Sequence, residues 1–298
     1  MRKHKNTSGQ RELVVLALPN LNQKLEGRAF DLGNRVKLRP LNRIADAIAN
    51  SRIVDWVGKG LVDKKTYCLA FWMGSGITDP ENAINVYKCE RALFAMGMSH
   101  PTYYTYPLFF VYCKGEIHSY YPRGRHYNVE WNFKSPLVEY HVLFAKRLHK
   151  RILNIQRSQN TTRLQTVLNL FWIANTSGQW DVNLVMLFAA LEALFSTSST
   201  EIAHQLAERC AFFLEPSAKG RINRYSELKR YYNMRSRIVH GERIKWRNGA
   251  TEKGDAHIFL SESVRLSLQK ILVSPKLIDL FGRKKELSDY FRYLVLGK

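Results

Sequence analysis

Apolar and polar positions follow two different rhythms along this chain, and the change comes near residue 130. Before that point the apolar residues fall in short runs bounded by turn formers. The run at 13–18 ends at Pro19-Asn20 and predicts a buried strand. Residues 44–57 carry Ile44, Ala47, Ile48 and Ile53 at helical spacing, a short helix. The aromatic-rich stretch 67–73 stops at Gly74-Ser75-Gly76, which reads as a strand and its turn. Asp79-Pro80-Glu81 opens a helix to about Ala95, with Asp79 as N-cap and proline at the first position. Residues 108–113 and 116–121, split by Lys114-Gly115, form a β-hairpin pattern. Pro122-Arg123-Gly124-Arg125 closes this unit.

From Ser135-Pro136 onward the period lengthens to that of helices. In 137–156, Leu137, Val138, His141, Phe144, Leu148, Ile152 and Ile155 make one stripe, while Lys146, Arg147, Lys150, Arg151 and Arg157 fill the opposite face. A second helix is expected at 162–174. The segment 181–195 is apolar almost all round and should be the buried centre of a bundle. Further helices are expected at 198–214, 221–240, 261–273 and 277–293. The fold class is therefore α+β: a mixed α/β domain over 1–130, with a role in target recognition or regulation, and an all-α domain over 131–298.

Charge narrows the partners. The 298 residues hold 46 Lys and Arg against 25 Asp and Glu, a net +21. Solubility needs far less, so a polyanion, with nucleic acid ahead of an anionic membrane, is the expected partner. A generally basic surface is the plainer reading. Cys68, Cys89, Cys113 and Cys210 are scattered without a CxxC pair, which suggests buried free thiols in a reducing compartment and no metal site. Neither a signal-peptide core nor an apolar run of roughly 18 residues is present, so the chain is expected to be soluble and cytoplasmic.

The candidate chemistry lies in Tyr231-Tyr232-Asn233-Met234-Arg235-Ser236-Arg237-Ile238-Val239-His240-Gly241, an Arg followed by four residues and a His at a glycine-closed helix end. Upstream stand Ala190-Leu191-Glu192-Ala193-Leu194-Phe195 and Glu201-Ile202-Ala203-His204-Gln205-Leu206-Ala207-Glu208-Arg209. In this order and spacing, the three blocks resemble the Apea-like branch of the HEPN ribonucleases, over roughly 137–285. The resemblance implies a homodimer that cuts RNA without metal or cofactor, leaving 2′,3′-cyclic phosphate and 5′-hydroxyl ends. It also implies a setting such as antiphage abortive infection, or a toxin held by a regulatory protein partner. Toxin-like members silenced by a nucleotidyltransferase often carry a Tyr two residues past the His; here Gly241-Glu242 follows.

The residue types suit that chemistry. RNA supplies its own nucleophile, the 2′-OH, so the protein needs a group to move protons and a cation for the charged phosphorane. His240 fits the first role and Arg235 the second, through a planar guanidinium that holds two oxygens. Positions five apart sit about 140° around a helix, so two copies across a two-fold axis, or a frayed last turn, would be needed to aim both at one phosphate.

Ser236, four residues before His240, would orient the ring; the wider superfamily often has Asn, Asp or His there. Glu192 and Arg237 are supporting candidates. Each has a structural reading: His240 as a helix C-cap, Arg235 paired with an acid of the bundle, Glu192 in a structural ion pair, Arg237 as a surface charge. Lys146, Arg147, Lys150 and Arg151, and beyond the motif Arg243, Lys245, Trp246 and Arg247, are candidates to track RNA, with Trp246 stacking on a base; a solvated charged face is the alternative. A basic module that binds nucleic acid without cutting it is the rival function.

Overall fold

The computed structural model describes residues 11–16, 24–50, 67–73, 79–100, 108–113, 116–122, 136–177, 179–242, 244 and 250–297. The protein is α+β and divides into two compact units.

The first unit is built on a six-stranded, wholly antiparallel sheet in the order β2-β3-β4-β1-β5-β6. The strands are β1 (Arg11–Leu16), β2 (Phe30–Gly33), β3 (Val36–Pro40), β4 (Tyr67–Met73), β5 (Leu108–Cys113) and β6 (Glu116–Pro122). β4 sits inside the sheet, and Tyr67, Cys68, Leu69 and Ala70 are all buried, so both of its faces are covered. Cys68 packs with Leu41, Ile44, Ala45 and Ile48, which places α1 (Arg43–Ala49) on one face. Tyr67, its neighbour in the strand, points the other way. Its hydroxyl donates to the carbonyls of Leu25 and Arg28 at 3.3 and 2.9 Å.

β2 and β3 have no counterpart in the sequence reading. Their hairpin turns at Asn34 and Arg35, both in the left-handed region at φ 53° and 66°. That conformation usually calls for Asn-Gly, and Asn-Arg hides it. The helix α2 (Asp79–Ser99) starts where the Asp-Pro pair places it and runs a turn longer than expected. The strand expected at 13–18 is described over Arg11–Leu16, with residues 17 and 18 outside the described residues, and the expected helix at 44–57 is described only to Ala49.

The helix α3 (Glu139–Arg157) corrects the domain boundary: residues to 150 belong with the sheet unit, not with the helical bundle. Fully buried His149 explains why, since its Nδ1 lies 3.1 Å from the Leu32 carbonyl of β2. Along α3 the buried line is Val142, Ala145, Leu148, His149, Ile152, Leu153 and Ile155; Val138, His141 and Phe144 are only partly covered.

The second unit is the helical bundle α4 (Thr162–Thr176), α5 (Trp180–Phe195), α6 (Ile202–Leu214), α7 (Ala218–Val239), α8 (Ala250–Val273), α9 (Pro275–Gly282) and α10 (Lys284–Leu296). As its composition foretold, α5 is the centre: from Val182 to Thr197 no residue is exposed, and α4, α6, α7 and α8 pack around it. Phe195, Phe213, Phe281 and Phe291 close a ring of edge-to-face and tilted contacts at 5.7–6.2 Å that ties α5 to α6, α9 and α10. The C-terminal carbonyls of α5 are satisfied by two guanidiniums. Arg163 donates to Ala193 and Ser196, and Arg209 to Phe195. Cys68, Cys89 and Cys210 are free and buried; burial pushes the Cys210 thiol up to about 12.

Burial of His257 on α8 has a measurable consequence. The ring, 6% exposed, hydrogen-bonds the Ala174 backbone, and desolvation lowers its pKa to about 4. The unfolded chain therefore binds a proton below about pH 6.5 that the folded chain refuses, so stability falls as pH drops from about 6.5 toward 4. That drop amounts to about 3 kcal/mol if fully realised. His257→Gln is expected to lose less stability than wild type between those pH values in urea titrations. Parallel pH profiles for the two proteins would refute the assignment.

Candidate functional site

The motif helix α7 is amphipathic in an unusual proportion: only Leu228 and Tyr231 of its 22 residues are fully buried. Ser217 caps its start by accepting from the Gly220 N–H at 3.1 Å. His240 is the C-cap, its N–H bonded to the Ser236 carbonyl, and Gly241 at φ 74° ends the helix. The Gly241 and Glu242 N–H groups return to the carbonyls of Ile238 and Arg237, a closure that glycine makes inexpensive.

Arg235 and His240 project from different sides of this end. Arg235 faces the bundle. Its Nη2 lies 3.4 Å from Glu192 Oε1 on α5, and both side chains are about three-quarters buried, at 24% and 21% exposure. Its guanidinium also sits 5.5 Å from the ring centre of Tyr232, one helical turn earlier. The Tyr232 hydroxyl faces the same carboxylate. Burial chiefly, then the charge of Glu192 and a hydrogen bond to it, raise that phenol above its usual range. Phe188 of α5 closes the pocket edge-on at 5.4 Å. The Arg235 Nε and the Glu192 Oε1 are both buried without a hydrogen-bond partner, so the two groups meet as an ion pair and not through a hydrogen bond.

His240 instead faces solvent, on the exposed stripe that also carries Arg230, Asn233 and Arg237 at three- and four-residue spacing. Arg237 donates through Nε to Glu242 at 2.9 Å. The expected link between Ser236 and the imidazole is absent: Ser236 is half-buried, and among the described residues its hydroxyl makes no hydrogen bond to His240. The two share only the backbone bond. Glu192 meets Arg235 and not His240.

Tyr232 was quoted with the motif but given no role by the sequence. The signal was present: three residues before Arg235, it shares a face with the guanidinium. His204 on α6 holds Tyr225 of α7 through Nδ1 at 3.0 Å and lies 3.8 Å from Glu208, joining the two helices. Among the basic candidates, Lys146, Arg147 and Lys150 are exposed on α3, whereas Arg151 is partly buried. Arg243, Lys245, Trp246 and Arg247 lie outside the described residues. Among the described residues, no three of His, Cys, Asp or Glu gather as a metal-binding group, and no helix is long and apolar enough to cross a membrane.

No family model matches the chain, and neither a curated protein nor a solved structure is significantly similar to it.

Because each partner of the Glu192–Arg235 pair is mostly buried, removing one leaves a charge uncompensated. Glu192→Ala is expected to cost about 1–3 kcal/mol of stability, less than a fully enclosed pair would lose. A double-mutant cycle with Arg235→Met, read by urea unfolding, should give a coupling of about 1 kcal/mol or more. A coupling indistinguishable from zero would mean that the pair is incidental.

Proposed function

We propose that this protein is a metal-independent endoribonuclease of HEPN type, acting as a homodimer through its helical unit. The observation that supports this best is the end of α7, where an exposed imidazole closes the helix and, five residues earlier, a guanidinium lies beside a carboxylate and a phenol ring. In the proposed reaction His240 takes the proton of the 2′-OH. The freed 2′ oxygen bonds to the adjacent phosphorus, the bond from phosphorus to the 5′ oxygen breaks, and that oxygen leaves with a proton. No water enters, and the products are a 2′,3′-cyclic phosphate and a 5′-hydroxyl. Arg235, about a quarter of whose side chain stays exposed, would steady the phosphorane.

The opposed directions of the two side chains within one chain are why a second copy is part of the proposal. Two α7 ends facing each other set the His240 of one protomer near the Arg235 of its partner. Val239, next to His240 and 53% exposed, gives such a contact an apolar component.

A basic nucleic-acid-binding protein without cleavage is the second reading. It is favoured by one feature: Glu192 already neutralises Arg235, as in a structural ion pair.

Cleavage decides between them. A 5′-labelled single-stranded RNA incubated in EDTA should yield cyclic-phosphate ends with wild type. His240→Ala and Arg235→Ala should each slow cleavage by about 100-fold or more, with fold and dimer intact by circular dichroism and light scattering. Metal-free cleavage that persists unchanged in His240→Ala would overturn the nuclease reading. Salt-sensitive RNA binding with no product from wild type would establish the second.

A further inference from the structure

The helix α3 carries a one-sided charge. Of its 19 residues, Lys146, Arg147, Lys150, Arg151 and Arg157 are basic, and Glu139 in the first turn is the only acid. Glu139 is engaged by Arg28 at 3.0 Å. Arg147 and Lys150 are exposed and, among the described residues, meet no carboxylate; Lys146 reaches Asp31 of β2 only at 3.8 Å, with both groups about half exposed or more. Pairs that open contribute little and release a cation readily.

The same face is apolar at its start. Tyr140 is 69% exposed and Leu143 48%, although both head an ordered helix. The Tyr140 ring lies parallel to Phe144, one turn on, at 6.1 Å between centres and 10° between planes. The His141 ring meets Tyr140 edge-on at 5.7 Å, and most of the Tyr140 side chain is left to solvent. Tyr140, Leu143, Arg147 and Lys150, at steps of three and four, form a strip about 15 Å long: an aromatic plate followed by cations. Beside it, the exposed Lys37 of β3 pairs in register with Asp31, and Arg35 stands exposed in the adjoining turn.

An exposed aromatic beside unpaired cations fits a particular partner. A duplex hides its base faces and offers only phosphates; an anionic membrane offers no flat π-surface to stack. A single strand offers both an unstacked base and a run of phosphates. We infer that this strip of the sheet-bearing unit is a binding site for single-stranded nucleic acid, in which Tyr140 stacks on a base while Lys146, Arg147 and Lys150 hold the adjoining phosphates. It draws on residues of the sheet-bearing unit alone, and it requires a nucleic-acid partner but not cleavage.

The test uses a ligand that 2′-OH chemistry cannot cut, so it does not depend on the nuclease reading. The full-length protein is titrated against a fluorescein-labelled 12-nucleotide oligo(dT), a 12-base-pair DNA duplex, and phosphatidylserine vesicles, at several salt concentrations. Tyr140→Ala should weaken oligo(dT) binding by about tenfold or more and leave duplex binding nearly unchanged, while Tyr140→Phe should bind like wild type, because stacking needs the ring and not the hydroxyl. Arg147→Glu with Lys150→Glu should weaken oligo(dT) binding and flatten its logarithmic salt slope by about 1.4, two phosphate contacts' worth for a single strand. Unchanged oligo(dT) affinity in both Tyr140→Ala and the charge-reversal variant would overturn the inference. So would a Tyr140→Ala loss confined to vesicles. All the substituted side chains are exposed, so folding should survive, and circular dichroism checks it.

Discussion

Enclosing α5 is the constraint on which the helical unit depends. A helix with no exposed residue over its last four turns must have its C-terminal carbonyls and the acid of its last turn, Glu192, met by neighbours. Arg163 and Arg209 take up the carbonyls at its end, and Arg235 takes up Glu192. All three cations come from surrounding helices, so the bundle is ordered as much by where α5 needs guanidiniums as by where it offers apolar surface. Desolvation lowers the pKa of both Arg163 and Arg209 from the usual arginine value, the cost of placing a permanent charge beside buried carbonyls.

This view assigns Arg235 a double character. Its position is set by Glu192, which the core requires, yet about a quarter of its side chain stays exposed at the motif end of α7. A guanidinium fixed in advance costs no ordering when an anion arrives, which is the condition for electrostatic stabilisation of a transition state. The same fixation would be found in a purely structural pair, and for that reason chemistry, not geometry, separates the two readings of the site.

Much of the helical unit was legible in the sequence because helix boundaries there coincide with strong punctuation. Asn175 to Gly178, Glu215-Pro216 and Gly241 all mark true ends. The start of α8 was read eleven residues late, since Ala250 to Leu260 opens with charged residues and a glycine before its apolar face begins. In the sheet unit β2 and β3 escaped notice, being four and five residues long with a turn that lacks the expected glycine. The site was legible in part. Spacing gave Arg235 and His240, and the isolation of Glu192 on an apolar helix pointed to a cation partner. That Ser236 does not reach the imidazole depends on the closing geometry at Gly241, which no residue count reveals.

The charge on α3 has an effect on the helix itself. Lys146 and Lys150, and likewise Arg147 and Arg151, stand four residues apart, where like charges repel across one turn by a few tenths of a kcal/mol per pair. A bound polyanion, or simply raised ionic strength, removes that repulsion. The segment is therefore held least firmly when bare in dilute buffer, and amide exchange along it should slow once its cations are neutralised.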